Sequence, residues 1–364
     1  GGAVNAMAPY SMVVFGDGWR ARFFCRMAAA IPDALEVRAV IGHHRDRLES
    51  IEREYGVRAS TDAALLRRCD PDFVALAVSW PAMPGMIETM AGEGCHVLCE
   101  TPPAPDLEGL RGLWSRVADR AELVQVGEQY HRMPGHAARL AVIRSGAVGT
   151  PNSAEIASTH MYHAVALIRA YLGVGAIRAT VNAREFTAPM MNPRQVEGWD
   201  DPARLSDLKT TIATIDFGEG RYGLYNFVDN QWWNPLLSRR AAVRGTLGEI
   251  VDDRVMRWKD GAPIPSRIEY RRLGVDMNLE GNGIATASFD GNIVYRNAYM
   301  ESRLSEDDLA VADHLVAMGR YARGEGPAVY PLAEGIHDHA IALAMDESAR
   351  LGRDVAVEGE AWMA

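Results

Sequence analysis

The sequence predicts an α/β protein of two domains: an N-terminal doubly wound parallel sheet, then an α+β domain with a large, mostly antiparallel open sheet. Three observations carry this expectation. Up to residue 127, short apolar runs alternate with helical stretches, as in a parallel sheet with right-handed crossovers. One of these runs, Asp-Phe-Val-Ala-Leu-Ala-Val at 72–78, is apolar almost throughout, as a strand covered on both faces must be. From Ile177 onward the signals turn β-rich, and alternating residues flank glycine turns, the mark of antiparallel hairpins. The expected domains are 8–127 and 128–364, with the last helices able to pack back on the first domain.

The elements follow in order. Ser11–Phe15 is an apolar strand that stops at Gly16, 19–30 a helix closed by Pro32, and Leu35–Ile41 a second strand. Arg45–Tyr55 is a charged helix ended by Gly56. After the strand at 72–78 come a helix at Pro84–Gly94, a strand at His96–Cys99, a helix at Leu107–Ala118 and a strand at Glu122–Val126. In the second domain, Ala137–Ser145 and His163–Leu172 are helices around a strand at Asn152–Thr159. Ala213, Ile215 and Phe217 alternate with Thr214 and Asp216, and with Gly218-Glu219-Gly220 and Tyr222–Phe227 they form a hairpin. The polar, weakly periodic stretches 187–208 and 258–290 read as loops, and Asp307–Ala322 and Ala333–Leu351 as closing helices.

With 38 basic against 48 acidic residues and a formal charge of −10, no broad basic field attracts nucleic acid or an anionic membrane. No apolar run is long enough to span a bilayer and no charged-then-apolar leader is present; Gly1-Gly2-Ala3 reads as a cloning remnant or a frayed start. Cys25, Cys69, Cys95 and Cys99 fall in predicted buried elements without disulfide or zinc spacing, which points to a reduced, cytoplasmic setting.

The turn Gly16-Asp17-Gly18-Trp19-Arg20-Ala21 has a strand before it, a helix after it and a second strand about 20 residues on, the context of a dinucleotide-binding βαβ unit. Gly16 permits the tight turn, Gly18 lets backbone approach a pyrophosphate, and Ala21 lets helix and strand pack closely. The helix start offers free N–H groups to the phosphates. Gly42-His43-His44-Arg45 ends the second strand, where an acid would bind the 2′-hydroxyl of NAD. No carboxylate stands there in the sequence, so the choice leans to NADP over NAD, although a solvated basic turn that touches nothing is the plain alternative. Ser79-Trp80-Pro81, Glu100, Thr101 and Gln129 complete the expected cofactor-facing set.

His96-Val97-Leu98-Cys99-Glu100-Thr101-Pro102 resembles the "aGkHVlcEKP" segment of the glucose–fructose oxidoreductase / inositol dehydrogenase (Gfo/Idh/MocA) family. The resemblance extends to the Gly-rich turn, to Val126-Gly127 with the later Pro134, to Gly149 in Gly-Ala-Val-Gly and to the tail from Ala342 to Arg353. It implies a Rossmann domain, a second domain with an open sheet, NAD(P)-dependent oxidation or reduction of a sugar, polyol or cyclitol, and a homodimer or homotetramer joined through the sheet face. It also implies a Lys, an Asp and a His as catalytic set. Thr101 stands at the Lys position, Thr159 at the Asp position and His163 at the His position, so two of the three are replaced.

His163 is then the best acid/base, at a predicted helix start. His160 can orient it and Tyr162 can serve as a second proton donor, while Thr101 can hydrogen-bond nicotinamide or substrate. Glu128 and His131 follow the fifth strand, where open α/β sheets bind ligands. Trp232 and Trp233, flanked by Gln231 and Asn234, suit a sugar face, and Arg169 can reach substrate or solvent. No metal is assigned; a zinc set of His160, His163, His131 and Glu128 is the alternative that would replace the lost Lys as electrophile. His337 and His339 read as surface or interdomain residues, and Met83, Met86 and Met90 as helix-face packing. Two rivals to dehydrogenation remain. One is elimination or hydrolysis of a glycoside through transient oxidation, and the other is a nucleotide-binding sensor or partner subunit.

Overall fold

The computed structural model describes residues 7–195, 198–199 and 204–364; Gly1-Gly2-Ala3 and part of the 187–208 stretch lie outside them. The chain divides into two compact units: 1–133 with 272–284 and 297–335, and 134–271 with 285–296 and 336–364.

In the first unit, β1 (Tyr10–Phe15), α1 (Trp19–Ala30), β2 (Leu35–Ile41), α2 (Arg45–Tyr55), β3 (Ala59–Ser60), α3 (Leu65–Cys69), β4 (Phe73–Leu76), α4 (Met83–Gly92), β5 (Val97–Cys99), α5 (Leu107–Val117) and β6 (Val124–Val126) follow one another. Their six strands are parallel in the order β3-β2-β1-β4-β5-β6, the order of a dinucleotide-binding sheet. Every residue of β1 and β4 is buried, as helices on both faces require.

The second unit opens with α6 (Pro134–Arg144), β7 (Pro151–Ala157), α7 (Met161–Leu172) and β8 (Ala179–Met191). The short β9 (Arg194–Gln195) and β10 (Gly198–Trp199) precede β11 (Leu205–Gly218) and β12 (Arg221–Val228). Then come β13 (Arg240–Gly245), β14 (Gly248–Val251), β15 (Arg254–Lys259) and β16 (Ala262–Arg267). After β17 (Glu269–Arg272), α8 (Leu273–Asp276), β18 (Ile284–Phe289), β19 (Asn292–Arg296), α9 (Glu306–Ala322), α10 (Leu332–Leu351) and β20 (Val355–Val357) end the chain. Nine strands form one sheet, β16-β15-β14-β13-β7-β12-β11-β8-β20, antiparallel except where β12 runs parallel to β7. The helix α7 packs on β7 and β12. Back in the first unit, α9 supplies Leu309, Leu315 and Met318 to the core formed by Tyr10, Met12 and Val14 of β1 with Phe23 and Met27 of α1.

Two stretches read as loops are corrected to strands. Polar sequence between 187 and 208 continues β8 and β11, which pair in register from Asp216↔Thr180 out to Leu205↔Met191. The stretch 258–290 holds the end of β15, then β16, β17, the short helix α8 and the whole of β18. Ladder pairing with an in-register neighbour carries strands through sequence whose side chains bury little. The cysteines are free; Cys25 and Cys99 are buried, but Cys69, at the end of α3, and Cys95, in the connection from α4 to β5, are only half-buried. No helix among the described residues is long and apolar enough to cross a membrane.

Candidate active site

The residues of the first unit expected to face a cofactor lie at the carboxyl edge of its sheet, where the strand order reverses between β1 and β4. Pairing of Phe15 with Ile41 and with Leu76 brings the ends of β1, β2 and β4 level. Gly16 has φ +121°, and a Cβ there would lie 2.2 Å from the carbonyl oxygen of Ala77, so only glycine passes this point. A Cβ on Gly18 would meet no protein atom within 4 Å, which leaves the outer side of the turn open. Gly18 caps α1 without a side-chain hydrogen bond, and the first turn of α1 carries no acid. Its N–H groups and the positive end of its dipole are therefore available to an anion. A cavity of about 820 Å³ opens beside this turn, lined by Gly16, Asp17, Gly18, Gly42, His43, His44 and Ser79 among others. Its size suits a large ligand.

Asp17 is 7% exposed, and its carboxylate reaches across to the end of β2. Oδ2 accepts from the N–H groups of His43 (2.9 Å) and His44 (2.8 Å). The His44 ring lies 3.0 Å from both oxygens and Arg47 3.4 Å from Oδ1. Burial pushes this carboxyl up, but the bonds from His44 and His43 outweigh it and hold the group below its ordinary value. The expectation that no carboxylate is available at the end of the second strand is thus corrected: the acid comes from the turn after β1. Trp19 is exposed and its ring lies tilted against that of Phe23. Arg20 leans on both rings and pairs with Glu100 at 3.4 Å. Ala21 is fully buried, Trp80 half exposed, and Thr101 and Pro81 flank the edge, with a cis bond between Thr101 and Pro102. Glu128 and Gln129 are buried after β6, and the Glu128 carboxylate accepts from the N–H of Tyr130. The ring of His131 lies 6.4 Å from that of His314 and 5.6 Å from that of Tyr330.

In the second unit the first turn of α7 carries a cluster of rings. His160 is its N-cap residue, and His160, Tyr162 and His163 touch one another, with centroids 5.1 Å apart for His160–His163 and 4.6 Å for Tyr162–His163. Phe227 of β12 backs His160, and His339 of α10 stands 5.4 Å from Tyr162. Met161 is left-handed at φ +44°, a conformation that costs a β-carbon-bearing residue about 1–3 kcal/mol, and its N–H donates to the hydroxyl of Tyr225. Burial, then the neighbouring His163, lower the His160 imidazole to about 4, so this ring is neutral at physiological pH. The hydroxyl of Thr159 is buried and has no hydrogen-bond partner among the described residues.

Several expectations are corrected here. Arg169 is 2% exposed and paired with Asp338 at 2.7 Å within the buried α7, so it does not reach solvent. His337 and His339 are buried, not superficial, since α10 is buried on every side from 335 to 342. The His337 ring meets the carbonyl of Ile177 and the indole N–H of Trp362. The amides flanking the tryptophans serve the backbone: Gln231 donates to the carbonyls of Ala157 and Ser238, and Asn234 to that of Met191. Trp232 stays half exposed against Trp233, with ring centroids 4.4 Å apart. Among the described residues, no three His, Cys, Asp or Glu side chains are placed to hold a metal ion, which leaves the zinc alternative unsupported. The sequence places Tyr225 and Phe227 only in a hairpin strand and His339 in a closing helix; no local signal marks them as neighbours of the ring cluster.

Residues 10–128 match the Gfo/Idh/MocA oxidoreductase family, NAD-binding Rossmann fold. D-apiose dehydrogenase of Paraburkholderia graminis is 27% identical over 121 residues, and the match spans 33% of this chain and 32% of that protein's length. Solved structures share the whole fold at low identity. An oxidoreductase from Agrobacterium radiobacter, in complex with NAD+, L-tartaric acid and magnesium, is 17% identical with a TM-score of 0.67, covering 96% of this chain and 98% of that one. A myo-inositol dehydrogenase from Corynebacterium glutamicum is 17% identical with a TM-score of 0.66, covering 96% and 99%. Levoglucosan dehydrogenase in complex with NADH and L-sorbose is 18% identical with a TM-score of 0.67, covering 97% and 100%.

Proposed function

We propose, from a nucleotide-binding part that belongs to the Gfo/Idh/MocA oxidoreductases, that this protein is an NAD(P)-dependent dehydrogenase of a sugar, polyol or cyclitol, with His163 as its acid/base. The observation that carries the reading is the glycine-rich turn with an uncapped α1 beside a cavity of ligand size. Gly16, Gly18, Trp19, Arg20 and Ala21 hold the pyrophosphate, while Ser79–Pro81, Glu100, Thr101 and Gln129 border the nicotinamide. The bound nicotinamide supplies the two-electron acceptor for a carbinol hydrogen.

His163 takes the proton of the substrate hydroxyl. The neutral His160 packed against it and the Tyr162 ring fix its orientation, and the strained backbone at Met161 sets the start of α7 where this cluster forms. Thr101 hydrogen-bonds the nicotinamide or a substrate hydroxyl, Thr159 offers its buried hydroxyl, and Trp232 gives a flat apolar face to a sugar ring. Neither threonine supplies the charge of the Lys and Asp they replace, so proton transfer rests on His163. Glu128 and His131 are further substrate contacts. The lean to NADP draws on His43, His44 and Arg45; His43 and His44 line the cavity, but Asp17 stands among them. We also assign a homodimer or homotetramer through the open face of the nine-stranded sheet, where Ile212, Tyr222, Met256 and Trp258 are exposed, and a cytoplasmic location. Light scattering on the purified protein checks the assembly, and a monomer refutes it.

The test of function is incubation of the purified protein with NAD+ or NADP+ and a panel of sugars, inositols and glycosides, following nicotinamide absorbance and product release. Reduced cofactor is the expected result. Product without net reduction would mean elimination through transient oxidation, a reading favoured by Thr101 and Thr159 at the Lys and Asp positions. Nucleotide binding with neither signal would leave a sensor.

A further inference from the structure

The cofactor choice is decided at the end of the second strand of a dinucleotide fold, where an acid accepts the ribose 2′-hydroxyl and cations accept a 2′-phosphate. In this chain that strand ends on Gly42. A Cβ built there would lie 2.6 Å from Oδ2 of Asp17 and 2.8 Å from its Cβ. The carboxylate of Asp17 thus fills the volume that a side chain at 42 would occupy. We propose that Asp17 is the specificity-determining residue: its carboxylate, delivered from the glycine-rich turn, stands in for the acid missing at 42 and selects NAD+ over NADP+. This rests on the dinucleotide reading above.

Three observations support the assignment. Asp17 lines the same cavity as Gly16, Gly18 and Gly42. Its Oδ2 is engaged by the two N–H groups of His43 and His44, whereas Oδ1 has only the His44 ring at 3.0 Å and Arg47 at 3.4 Å. The Arg47 contact to Oδ1 is long, at 3.4 Å, and comes from a half-exposed side chain, so a ribose hydroxyl can take its place on Oδ1. Finally, basic groups beside this turn are turned onto the acid. His44 and Arg47 both contact Asp17, and a 2′-phosphate arriving there would meet an ionised carboxylate at the centre of the group.

Calorimetric titration of NAD+ and NADP+ into the full chain tests this for the wild type, Asp17→Asn and the exchange Asp17→Gly/Gly42→Asp. The wild type should bind NAD+ about tenfold or more tightly than NADP+, Asp17→Asn should erase most of that ratio, and the exchange should restore it. A wild type that prefers NADP+, or a ratio unchanged in Asp17→Asn, overturns the proposal while leaving the dinucleotide reading intact. If Asp17→Asn does not fold by circular dichroism, the exchange decides: NAD+ preference kept supports Asp17, and preference lost refutes it. A wild type that binds neither nucleotide overturns both readings.

Discussion

The turn after β1 and the ring cluster on α7 are built on opposite plans. The turn is one contiguous stretch, Gly16–Ala21, whose recognising groups are backbone N–H groups and whose side chains matter mainly where they are missing. The cluster is made of side chains from three separated stretches, 159–163, 225–227 and 339, held by packing. A site made of backbone fails when an atom is added. A site made of rings fails when one is removed or charged.

The largest effect should come from adding one group to the turn. Gly16→Val places side-chain atoms on the Ala77 carbonyl in a left-handed conformation, and should cost roughly 3 kcal/mol or more and abolish NAD+ binding, read by thermal melting and calorimetry. A variant that binds normally would remove the geometric basis of the turn. Next, His163→Ala should lower kcat by about 10²–10⁴-fold while leaving the NAD+ dissociation constant unchanged, which separates the two regions functionally. Full activity would strip His163 of its role.

A smaller effect concerns charge. Burial holds both His160 and His337 at about 4, below the ordinary 6.5 of an unfolded histidine. The unfolded chain therefore takes up these protons first, and stability present above pH 6.5 should fall as pH drops from 6.5 towards 4. The slope of melting temperature against pH in this window should flatten in His337→Gln, and an unchanged slope would contradict the burial argument. The smallest effect is expected for Thr159→Val: its hydroxyl has no partner among the described residues, so stability should change by less than about 1 kcal/mol or rise. A fall in kcat without a fall in melting temperature would show that the hydroxyl serves the substrate.

The same contrast explains what the sequence disclosed. The βαβ unit was legible because its determinants lie within one strand–turn–helix stretch, and the alternation at 213–217 betrayed the hairpin in the same way. His163 was legible by position, but its companions Phe227 and His339 were not, since nothing local marks residues that meet only through tertiary packing. Asp17 is the instructive case. Its place in the turn is plain in the sequence, yet its carboxylate belongs spatially to the end of β2, and only the crowding at Gly42 shows it. Arg169 misled for the converse reason, because a cation one turn into a helix reads as exposed unless Asp338 is known to meet it.

The division of the chain has a consequence for its biosynthesis. Each unit is completed by a segment made last, 297–335 for the first and 336–364 for the second. On the ribosome, the β1 face formed by Tyr10, Met12 and Val14 waits for Leu309, Leu315 and Met318, almost the whole length of the chain later. The nascent protein therefore carries this apolar face uncovered through most of its translation.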